Sequence, residues 1–96
     1  MLSNELFQKL KEQWIIIGDI KPTFEELWER LPIEIHIEET GKDYYLWMEK
    51  YKHYNQIGYY LECMIALAKD NSNRPEVTIS DLAAEMLIEL KNRGLM

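Results

Sequence analysis

From Ile33 to Tyr60 the chain alternates between apolar and polar residues, and no other feature limits its fold as much. Ile33, Ile35 and Ile37 are interleaved with Glu34, His36 and Glu38. After Thr40-Gly41-Lys42-Asp43, Tyr44, Leu46 and Met48 alternate with Tyr45, Trp47 and Glu49. A period of two sends successive side chains to opposite faces of a strand, so each run reads as a half-buried strand. Gly41-Lys42 suits a two-residue type II′ turn between them, and Thr40-Gly41 is the alternative loop. The two registers differ by two residues, so the faces are the same in both. Ile33, Ile35 and Ile37 share one face with Tyr44, Leu46 and Met48. Glu34, His36 and Glu38 share the other with Tyr45, Trp47 and Tyr51.

Helical patterns flank this stretch. Ser3 suits an N-cap, with Glu5 in the first turn where negative charge meets the helix dipole. Leu2, Leu6, Leu10 and Trp14 recur every four residues and predict one apolar stripe. Trp14-Ile15-Ile16-Ile17 fits either the last helical turn or a short strand. Thr23-Phe24-Glu25-Glu26 is a capping box, followed by Phe24, Leu27, Trp28 and Leu31 on one helical face. Pro32 restricts Leu31 and ends that helix.

Past the hairpin, Lys52 to Gln56 is polar enough for a turn, and Ile57 to Leu61 reads as a third strand. Glu62 to Asp70 suits a buried strand or a helical turn. Alternation carried on from the preceding strand favours the strand, and helix propensity opposes it. Asp70 to Pro75 is a loop by composition. Thr78-Ile79-Ser80-Asp81 is a second capping box, with Ser80 a competing cap and Val77 placed to staple onto Leu82. Leu82, Ala83, Met86, Leu87 and Leu90 give this helix a broad apolar face, and Asp81, Glu85 and Glu89 are expected in an exposed row. Gly94 is a natural left-handed C′ residue, and Leu95 would fold back on Leu90 in a Schellman motif.

The expected fold is α+β: two N-terminal helices, a three- or four-stranded antiparallel sheet, and a C-terminal helix packed on the sheet. At 96 residues with 47% apolar content, one domain spanning 1–96 with one core is expected. Cys63 has no second cysteine to pair with, which fits a reducing compartment. Met1 to Gln13 does not read as a signal peptide, and no apolar run approaches the roughly 20 residues needed to cross a bilayer. A cytoplasmic protein is expected.

Net charge is −6. Asp19 to Glu39 holds seven acids against Lys21 and Arg30, a local charge of −5. Phosphate binding needs a cationic footprint, so neither nucleic acid nor an anionic membrane is an expected partner. A basic surface on another protein suits such a chain better, and self-association through its aromatic face is the alternative.

Residues 43–95 resemble small uncharacterised proteins encoded in bacteriophage and prophage regions. The resemblance rests on Tyr44-Tyr45-Leu46, Ile57-Gly58-Tyr59, Leu82-Ala83, Met86-Leu87, Leu90 and Gly94-Leu95. It implies a mobile-element setting and a sheet followed by a helix, and it implies no catalytic residue.

Catalytic signatures are sparse. The four glycines are scattered, so no phosphate-cradling loop is present, and neither CxxC nor HExxH occurs. Glu34, His36 and Glu38 point the same way along a strand, about 7 Å apart at successive positions, which fits a solvated strand face better than a weak metal or proton-transfer cluster. Cys63 lies in an apolar run, where a thiol stays protonated and inert. No cofactor, bound metal or enzymatic activity is expected.

The aromatics say more. Seven of them crowd Tyr44 to Tyr60. Sheet packing accounts for Tyr44 and Tyr59. Tyr45, Trp47 and Tyr51 fall opposite the core, so either a partner or the N-terminal helix covers them. Glu34, His36, Glu38, Tyr45, Trp47 and Tyr51 are the candidate interaction face. The expected role is a non-enzymatic interaction module, a mobile-element accessory protein that binds or blocks a host protein. A tyrosine-lined small-ligand or sequestering site and an acidic mimic of nucleic acid are the alternatives.

Overall fold

The computed structural model describes residues 1–96. Helices α1 (Asn4–Glu12) and α2 (Phe24–Arg30) come first. Strands β1 (Glu34–Ile37), β2 (Lys42–Lys50), β3 (Asn55–Leu61) and β4 (Met64–Asp70) follow, and α3 (Ile79–Asn92) comes last. The strands form one antiparallel meander in the order β1-β2-β3-β4. Helix α3 packs on β3 and β4, and α1 and α2 pack against α3, so all the helices form a layer on one side of the sheet. The core lies between the layers. Leu10, Leu27, Ile57, Tyr59, Leu82, Met86, Leu87 and Leu90 are fully buried there. The α+β expectation holds, with four strands and with Glu62 to Asp70 largely strand.

Local chemistry sets the helix ends. Thr23 Oγ1 accepts from the Glu26 amide at 3.2 Å, and the Glu26 carboxylate accepts from the Thr23 amide at 3.1 Å. Thr78 and Asp81 repeat that box, at 3.2 and 3.0 Å. At the other end of α3, the Leu95 amide donates to the Leu90 carbonyl and Gly94 to Lys91, with Gly94 at φ +69. That is the expected Schellman motif.

Asp81 corrects the row of exposed acids. It is only 4% exposed. Its second oxygen accepts at 2.8 Å from the amide of Ser3, the residue that caps α1. One carboxylate thereby serves the amino ends of two helices, where amide dipoles converge. Glu85 and Glu89 are half-buried and paired, with Arg74 at 2.7 Å and Lys69 at 2.8 Å. Lys69 and Arg93 hold the Glu89 carboxyl below its usual range, and Ser72 does the same for Asp70. A carboxylate with a depressed folded-state value stabilises the fold above its unfolded value and loses that effect as pH falls through the folded value. Stability should therefore fall in acid, below a pH of about 4. Lys69→Met should flatten that fall, as checked by urea midpoints on either side of the carboxylate range.

Trp14 does not complete the α1 stripe. Helix α1 ends in its own Schellman motif, with Ile15 donating to Leu10 and Trp14 to Lys11. The chain turns at Trp14, which takes φ +59 and is 79% exposed. The turn delivers Ile15 and Ile16 to the core instead. Left-handed backbone costs a bulky residue about 1–2 kcal/mol, and glycine loses about 0.5–1 kcal/mol in unfolded-chain entropy. Trp14→Gly should therefore stabilise the protein by about 0.5–1 kcal/mol, read as a raised denaturation midpoint.

The first hairpin has a longer loop than the expected two residues. Ile37 pairs with Lys42, leaving Glu38 to Gly41 as the connection. Thr40 organises it, its hydroxyl donating to the Ile37 carbonyl at 3.2 Å and accepting from the Lys42 amide at 3.3 Å. The register differs from the expected ones by an even step, so the predicted faces survive. Ile33 and Met48 are corrections within the apolar face: the Ile33 carbonyl accepts from the Leu46 amide, yet Ile33 is 82% exposed and Met48 is 40% exposed. Tyr59 is buried, its hydroxyl donating to the Pro32 carbonyl at 2.8 Å, and burial pushes its phenol well above the ordinary value.

Candidate functional site on the open sheet face

The helices cover one face of the sheet and leave the other to solvent. Trp47 is 59% exposed and Tyr45 is 49% exposed. Helix α1 packs on α3 rather than here, so the chain does not cover these rings.

Register assembles the site. Tyr45 sits opposite Tyr60, and Trp47 sits opposite Gly58. Gly58 explains the arrangement: a Cβ at this position would lie 2.8 Å from Tyr60 ring atoms and from the Leu67 carbonyl. The Tyr60 ring therefore lies over the glycine, a way of covering bare backbone. Gln56 Nε2 donates to the Tyr60 hydroxyl at 2.6 Å and holds the ring there. A bulge between Tyr59 and Tyr60 on the β4 side puts exposed Ile65 opposite Tyr60. Beside these rings lies a depression of about 360 Å³ lined by Tyr45, Leu46, Trp47, Glu49, Tyr60 and Glu62.

The charge on this face has one sign. Lys42, Lys50 and Lys69 are the strand cations, and they pair with Ile37, Asn55 and Ile57 on the helix side. Glu34, Asp43 and Glu49 point to the open side, and Glu62 adds a carboxylate at the β3–β4 turn. His36 Nδ1 lies 2.8 Å from Asp43 Oδ1 across the strand pair.

Five of the six sequence-predicted residues border this surface. Tyr45 and Trp47 form its centre, and Glu34 and His36 lie on the outer strand. Tyr51 lies just past β2 and stacks on Tyr54 at 4.5 Å between ring centroids. Hydrogen bonding to Glu49 raises its phenol above the ordinary value. Glu38 is a correction: it lies in the hairpin loop, beside a hollow that includes Glu39, Arg93 and Leu95. The row of Glu34, His36 and Glu38 expected along one strand is therefore broken. Gly58, Tyr60, Glu49 and Glu62 join this surface without the two-residue alternation pointing to them. A glycine followed two residues later by a tyrosine in a strand is the signal that finds the first two.

Cys63 is a second correction. Rather than lying inside an apolar run, it is exposed in the two-residue turn between Leu61 and Met64. Glu62 in that turn takes φ +55.

Comparison with family models, curated proteins and solved structures finds no match to the chain. No helix is long and apolar enough to cross a membrane.

Proposed function

We propose that the chain is a non-enzymatic interaction module whose open sheet face docks a basic surface on another protein. One observation carries this reading: an uncovered face with aromatic rings at its centre, carboxylates around them and no strand lysine or arginine among them. Large rings next to solvent contribute most of their binding energy when a partner desolvates them, and acids around them select a cationic partner and speed encounter. Nucleic acid suits this face poorly, since phosphate contact needs the cations that point the other way. A mobile-element setting, with a host protein as the partner, is part of this proposal.

Capture from bacterial lysate tests the proposal. The wild-type protein should retain a partner that elutes as salt is raised, because exposed charge pairs are screened. The Tyr45→Ala/Trp47→Ala protein should fail to retain it. Equal capture by both proteins refutes the role of this face.

A further inference from the structure

Resting on that reading of the open face, we infer that the depression beside Trp47 receives an arginine side chain of the partner. Trp47, Tyr45 and Tyr60 line it, together with Glu49 near the far end of β2 and Glu62 in the β3–β4 turn. A guanidinium group matches both features at once. Its flat face stacks on aromatic rings, and its edge donates paired hydrogen bonds to a carboxylate. An ammonium group makes the charge contact without the planar stack and is more strongly hydrated. Neutral apolar side chains would leave unanswered the charge of Glu62 and that of Glu49, whose carboxylate has only the neutral Tyr51 hydroxyl as a partner.

The occupant is not a second copy of this chain. All three of its arginines are engaged: Arg74 with Glu85, Arg93 with Glu89, and Arg30 with the Ile15 carbonyl. A copy would also bring a net charge of −6 against an acidic face. The arginine comes from a partner of opposite charge.

The test is a titration of isotopically labelled protein, read at the Trp47 indole N–H and assigned with Trp47→Phe. The probes are the capped tripeptide Gly-Arg-Gly and the same peptide with citrulline, a neutral near-isostere, or lysine in place of arginine. The arginine peptide should give saturable shifts, with affinity about tenfold or more above the citrulline peptide. Glu49→Gln/Glu62→Gln should lose about the same factor while leaving the thermal midpoint unchanged. Equal responses to arginine and citrulline, equal responses to arginine and lysine, or no saturable shift would each overturn the inference. Loss of partner capture in Tyr45→Ala/Trp47→Ala, with no arginine response, would leave the interaction face standing and remove the arginine site alone.

Discussion

Replacing Tyr45 and Trp47 together by alanine will leave the protein folded and weaken its hold on the partner by at least about a hundredfold. The two halves of this result have different causes. In the free protein both rings are half exposed or more, so truncation removes little buried area, and strand propensity differences span only about 1 kcal/mol. In the complex the same rings are desolvated, and central aromatics at interfaces typically cost about 2 kcal/mol or more each on truncation. Urea unfolding and calorimetric titration with the captured partner separate the two quantities. Trp14 and Trp28 must first be changed to phenylalanine if fluorescence is used. A large stability loss with unchanged affinity would show that these rings hold the fold together and do not form an interface.

Asp81→Ala will cost about 3 kcal/mol or more, because it leaves two shielded amides without an acceptor at roughly 1–3 kcal/mol each. Those amides belong to Ser3 and Thr78, so the change loosens the start of α1 and of α3 together. Asp81→Asn keeps one acceptor oxygen and should cost less, about 1–2 kcal/mol. Denaturant melts measure both, and hydrogen exchange at the Ser3 and Thr78 amides locates the damage. A neutral Asp81→Ala would mean that water replaces the carboxylate and that the shared cap contributes nothing.

Much of this architecture is legible in the sequence wherever a few neighbouring residues decide it. The capping boxes at Thr23 and Thr78, the Schellman motif at Gly94 and the two-residue period of the hairpin are local. The faces of β1 and β2 are legible although the loop holds four residues rather than two, because an even shift of register preserves them. Sequence reasoning fails where distant segments decide. Asp81 looks like one of a row of exposed acids until Ser3 lies against it, 78 positions away. Trp14 continues a stripe until the chain must reverse to bury Ile15 and Ile16. Cys63 looks buried until a hairpin turns at Glu62. Whether Tyr45 and Trp47 are covered depends on where α1 docks, and its stripe does not specify the docking partner.

The position of α3 has a consequence for biosynthesis. This helix supplies eight of the nineteen buried residues, yet every strand precedes it in the chain. Each strand pairs with its immediate predecessor, and such short-range pairing forms readily. A ribosome thus releases a sheet able to zip up hairpin by hairpin while Ile35, Tyr44, Ile57 and Tyr59 still lack their cover. Until α3 has emerged and docked, the nascent sheet has two sticky sides rather than one, and transiently exposed apolar surface of that kind is prone to aggregation.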